Sequence, residues 1–141
     1  MNYLAWSILA LVTYSFVAPL MSVATTGAIR IPSNSAALIA NSILIFVTVF
    51  IVVLTNENTL RYLSHPKIKY VVLGGVCLTA GILSYYKALS TGPVSVVSPI
   101  FGMFLVLSSV IGFVFLNESA SLQKLLGIAF AVIAVVLVST D

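Results

Sequence analysis

Residues 94–116 read Val-Ser-Val-Val-Ser-Pro-Ile-Phe-Gly-Met-Phe-Leu-Val-Leu-Ser-Ser-Val-Ile-Gly-Phe-Val-Phe-Leu, without one Asp, Glu, Lys, Arg or His. A helix rises ~1.5 Å per residue, so about 20 apolar residues cross the ~30 Å hydrocarbon layer of a bilayer. This stretch is long enough, and its apolar surface runs all round the helix, which water solvates poorly. It predicts a membrane-spanning helix.

Four more stretches have the same character: about 3–24, 36–54, 70–89 and 122–139. Breaker residues separate them: Pro32-Ser33-Asn34-Ser35, His65-Pro66, Thr91-Gly92-Pro93 and Asn117-Glu118-Ser119. The first stretch has no Lys or Arg before Arg30 and is too long for a secretory leader, so it reads as a retained span. The expected fold is all-α and integral to the membrane, with five transmembrane helices in one domain over residues 1–141. Composition agrees. Of the 141 residues, 61% are hydrophobic and only 6% charged, against roughly 25% charged in a soluble domain. That excludes a disordered chain, an ordinary soluble enzyme and a nucleic-acid binder, since six scattered cations make no basic footprint.

The chemistry of catalysis is missing. Cys77 is the only cysteine, and His65, the only histidine, lies in the most polar loop. No His/Cys/Asp/Glu cluster has metal-ligand spacing, and no nucleophile–base pair is visible, so no metal, cofactor or catalytic residue is expected. No Asp, Glu or Arg falls in the middle of a span, which argues against an internal carboxylate relay.

Cations set the orientation. Five spans put the N-terminus on the same side as Arg61, Lys67, Lys69 and Lys124, with Arg30 and Lys87 opposite. Four against two favours a cytoplasmic N-terminus in a prokaryotic plasma membrane.

Positions seven apart return to nearly the same helix face. Asn34, Asn41, Thr48 and Thr55 are so spaced on the second span; Ser95, Gly102 and Ser109 on the fourth, with Pro99 on that face; Ser7 and Tyr14 on the first. Stripes of this kind are either helix–helix glue or the wall of a shared polar cavity. Three together favour the cavity. Pro99 adds a freed carbonyl at Ser95. Gly74, Cys77, Gly81, Ser84 and Ala88 on the third span read as a close-packing seam. Tyr85 flanks that seam and is placed to reach the cavity. Tyr86 points away, as an interfacial anchor would, and Lys87 either snorkels or attracts anions at the cavity mouth. The candidate substrate-binding residues are Ser7, Tyr14, Asn41, Thr48, Tyr85, Ser95, Pro99 and Gly102. On the fifth span the small residues Gly127, Ala131 and Ala134 suit a tight helix pair, within the chain or between two chains. Glu118 is expected in a loop at the membrane surface.

Two stretches together resemble a known family. One is Tyr85-Tyr86-Lys87-Ala88-Leu89-Ser90-Thr91-Gly92-Pro93-Val94-Ser95 with Pro99; the other is Leu116-Asn117-Glu118, then Gln123 and Gly127 before the last apolar run. They resemble the EamA domain of the drug/metabolite transporter superfamily. Where many relatives show Trp-Gly in the first helix, this chain has Tyr14-Ser15. The last two spans are also similar to small multidrug resistance proteins, whose carboxylate in the first helix has no counterpart here. The resemblance implies one half of a ten-helix transporter fold, a carrier of small metabolites or drug-like solutes. Five helices are few to enclose a pathway, so the expected partners are the bilayer, a small-molecule substrate and a second five-helix unit. That unit is a second copy, antiparallel rather than parallel, or an oppositely oriented homologue. The alternative is a non-transporting membrane subunit.

Overall fold

The computed structural model describes residues 3–116 and 118–139, and among them every regular element is a helix. Five segments are long and apolar enough to cross a membrane: Tyr3–Thr25, Ser33–Leu54, Ile68–Leu89, Val94–Phe115 and Leu122–Ser139. The chain is a multi-pass helical membrane protein.

The first span is two helices, α1 (Tyr3–Ser15) and α2 (Val17–Thr25), where the apolar pattern predicts one. The cause lies one turn downstream of the break. Pro19 has no N–H to give the carbonyl of Ser15, and its ring crowds that carbonyl. The Phe16 N–H turns back to the carbonyl of Thr13 at 3.4 Å. α3 (Ser33–Leu54) starts a turn earlier than expected, directly after Pro32, which holds an extended φ of −55° and ψ of 137°. The turn into it runs through Gly27 at φ +87°, a left-handed conformation that glycine adopts without strain. The polar loop after α3 holds Asn56 at φ 54° and a one-turn helix, α4 (Thr59–Tyr62), whose Arg61 N–H donates to the Asn58 side chain. α5 (Ile68–Leu89), α6 (Val94–Phe115) and α7 (Leu122–Ser139) match their expected spans to within two residues.

The helices fall into two compact units, Met1–Thr91 and Gly92–Asp141. In the first, α2 packs on α1, α3 and α5, and α3 packs on α5. Its buried residues are Ala18 and Thr25 of α2, Ala36 and Ala37 of α3, and Tyr85, Tyr86 and Leu89 of α5. They come from both ends of α2, the first turn of α3 and the last turn of α5, helices that pack on one another. In the second unit α6 packs on α7, and among its described residues Gly112 is the buried one. Elsewhere large apolar side chains point outward, as expected where lipid replaces water and provides no hydrophobic drive between helices.

Hydroxyl groups along the spans bond backward along their own helix. Ser7 donates to the carbonyl of Tyr3 at 2.9 Å, Ser42 to Leu38 at 2.8 Å, Thr48 to Leu44 at 2.8 Å and Ser109 to Leu105 at 3.0 Å. A hydroxyl in hydrocarbon must find an acceptor, and the carbonyl four residues back is always within reach. The seam read on α5 is open: a Cβ added at Gly74 or Gly81 would meet nothing within 4 Å, and Cys77 is exposed.

Candidate functional site

In the first unit, α1 and α5 bring three tyrosines into one neighbourhood. Tyr85 and Tyr86 are both 6% exposed, their ring centroids 6.1 Å apart and tilted by 35°. Tyr14, half-exposed on α1, lies close enough for its hydroxyl to interact with both. Tyr14 and Tyr85, two of the candidate binding residues, thus share this neighbourhood. Tyr86 is not the interfacial anchor it was expected to be. It shares the burial of its neighbour because the last turn of α5 is covered over a wide arc, with Leu89 fully enclosed. Such a cluster offers ring faces for apolar or cationic groups and hydroxyls for hydrogen bonds.

A second feature lies between α3 and α5. Asn34 and Asn41, seven apart, share a groove of about 450 Å³ with Thr79, Leu44 and Ile82. Asn41 is half-buried and donates to its own helix at the carbonyl of Ala37, 2.8 Å away. Thr48, two turns on, is exposed and does not line the groove, and Ser7 is exposed on α1. The stripes of α1 and α3 therefore reach the candidate site through Tyr14 and Asn41.

In the second unit, α6 continues through Pro99 as one helix. Ser95 is exposed, Pro99 and Gly102 are half-buried, and a Cβ at Gly102 would meet nothing within 4 Å. Between α6 and α7 runs an open groove of about 400 Å³, lined by Val106, Ser109, Phe113, Lys124, Gly127 and Ala131 among others. Gly127, exposed, and Ala131, half-buried, thus line this groove, while Ala134 is exposed outside it. Glu118 precedes α7, outside any helix, as expected. Its carboxylate folds over Gly112, where a Cβ would sit 3.2 Å from Oε2. Lys124 donates to the carbonyl of Ser119 at 2.9 Å and lies 5.8 Å from the Phe113 ring.

The family model for EamA-like transporters matches residues 1–140. The chain belongs to the EamA-like transporter family. A relative described as an uncharacterized transporter in the cobO 3'region of Sinorhizobium sp is 28% identical over 127 residues, which make up 89% of this chain and 90% of that one. The two are therefore of nearly equal length. No solved structure matches.

For this EamA-like transporter, the residue that spacing alone missed is Tyr86. A signal was available: it stands four residues before the Ser90-Thr91-Gly92-Pro93 turn, where a chain reversal can cover a helix on more than one side. Leu89 and Thr25, the two most enclosed large side chains, were missed for the same reason.

Proposed function

We propose that this chain is one half of a plasma-membrane carrier for small metabolites or drug-like solutes, alternating access as a dimer. The observation that carries this reading is the Tyr14–Tyr85–Tyr86 cluster: aromatic rings and hydroxyls gathered in a membrane unit of a transporter family. Such a lining suits neutral, zwitterionic or apolar-cationic solutes. The spans hold no carboxylate that would couple transport to protons in the manner of small multidrug resistance proteins. Asn41 extends the polar lining, and Ser7, Thr48, Ser95, Pro99 and Gly102 would meet the solute once a second unit closes the pathway. An antiparallel pair supplies the inverted symmetry that exchanges inward- and outward-open states, with Gly127, Ala131 and Ala134 at the contact.

One observation favours a second form of the same idea. The cation bias of four to two supports a cytoplasmic N-terminus, and a strict bias would require an oppositely oriented homologue as partner. The test is uptake of a solute panel into liposomes holding the purified chain, beside a Tyr14→Phe, Tyr85→Phe variant. Uptake that the variant lacks supports the homodimer. Uptake only with an added homologue supports the heteromer, and none under either condition leaves a non-transporting subunit.

A further inference from the structure

The best-packed end of the first unit carries a polar pocket of about 300 Å³ above its buried residues. Thr25, 1% exposed, belongs to its wall, with Arg30, Ser33, Lys87, Ser90 and Thr91 among the other lining residues. Arg30 comes from the α2–α3 turn and Lys87 from the last turn of α5. They are the only Lys or Arg residues that the five-span topology puts on this side, yet both border one concavity. Among the described residues, none that lines it is acidic. Like charges that share a pocket repel unless something negative sits between them.

Two further details give the pocket its sign. α3 starts at its rim, and no side chain caps that start, so the positive end of a long helix adds to the two cations. The carbonyls that a basic residue usually serves at a helix C-terminus already have hydroxyl donors here. The carbonyl of Lys87 already accepts from the hydroxyls of Ser90 at 2.7 Å and Thr91 at 3.2 Å, and that of Ala88 from Thr91 at 3.1 Å. The turn that carries Arg30 is fixed by the Ile31 N–H, which donates to the carbonyl of Ala24 at 2.9 Å.

We propose that this pocket binds an anionic oxygen group, a phosphate or carboxylate head, between the Arg30 guanidinium and the Lys87 ammonium at the start of α3. The guanidinium takes two oxygens in its planar fork, the ammonium acts as a point charge, and the hydroxyl of Ser33 lies at the same rim. The anion has two sources: the head of an acidic phospholipid, because the pocket lies at the end of the spans, or a free anionic solute. The proposal does not depend on transport, because binding is read directly.

The experiment compares the full-length protein with Arg30→Gln, Lys87→Gln and the double variant, and with Arg61→Gln/Lys67→Gln, which removes equal charge from the opposite side. One arm counts phosphatidylglycerol retained after detergent exchange, by native mass spectrometry. The other measures thermal stabilisation by inorganic phosphate in phosphatidylcholine nanodiscs. Each single variant should weaken binding several-fold and the double variant at least ten-fold, with the opposite-side control unchanged. Loss in the lipid arm assigns the site to a headgroup, and loss in the phosphate arm to a free anion. Equal binding by wild type and double variant in both arms overturns the proposal, as does an equal loss in the control. Both positions are exposed, and circular dichroism of each single variant separates lost binding from lost fold.

Discussion

Tyr85 and Tyr86 follow one another on α5, and both are buried to 6% exposure. Neighbours on a helix point about 100° apart, so the end of α5 is covered over a broad arc. A Tyr86→Ala variant should therefore lose about 3 kcal/mol, the order for deleting a buried aromatic ring. Tyr70→Ala, on the 65% exposed first turn of the same helix, should lose far less, and Tyr86→Phe should melt close to wild type. Thermal unfolding in detergent measures this, and equal melting of the two alanine variants would count against the cluster.

Asn41 donates to its own helix at Ala37, so its amide is not a clamp between helices. Asn41→Leu should change stability by less than about 1 kcal/mol, in line with the modest worth of polar contacts in membranes. Solute binding should nonetheless fall, because the α3–α5 groove loses an amide. Unchanged binding by this variant would remove Asn41 from the site.

A Cβ at Gly127 would meet no heavy atom within 4 Å. A single chain therefore has room for Gly127→Leu, whereas a close contact with a second copy does not. The variant should keep its helix content and lose association, read as reduced energy transfer between labelled chains on dilution with lipid. Unaltered transfer would move the contact elsewhere.

Orientation is checked by cysteine labelling in intact cells, in a Cys77→Ser background with Asn2→Cys or Asp141→Cys. Antiparallel homodimers predict that each terminus is labelled from both sides. Strict one-sided labelling would leave only a heteromeric pairing for the inverted form.

Restoring a donor at position 19 should mend the first span. Pro19→Ala lets the amide there bond to the carbonyl of Ser15, and hydrogen exchange across 16–20 should slow. Exchange as fast as in wild type would place the cause of the break elsewhere than in the proline.

The spans were legible because hydrocarbon thickness imposes one length on every crossing. Their interruptions were less so. Phe16 sits in an unbroken apolar run, and its break is signalled only by Pro19. The start of α3 was hidden because Ser33, Asn34 and Ser35 read as breakers, although such residues also favour helix starts. At the candidate site, Tyr14 and Asn41 were singled out by seven-residue spacing and Tyr85 by its place beside the α5 seam. Tyr86 was not, since a seven-residue period assumes one narrow buried face. On the hydroxyl stripes, Ser7 and Thr48 each bond to a carbonyl one turn back in the single chain, a partner that spacing along the sequence does not reveal.

The buried residues of the first unit come from positions 18–37 and 85–89 and from nowhere between. Synthesis runs from the N-terminus, so the first three helices enter the bilayer before the α5 residues that complete their packing exist. Until Leu89 has left the ribosome they have only one another and lipid, without the cover that the end of α5 gives. This interval is when membrane quality control has most access to the chain, and a slow codon or a truncation before position 89 would prolong it.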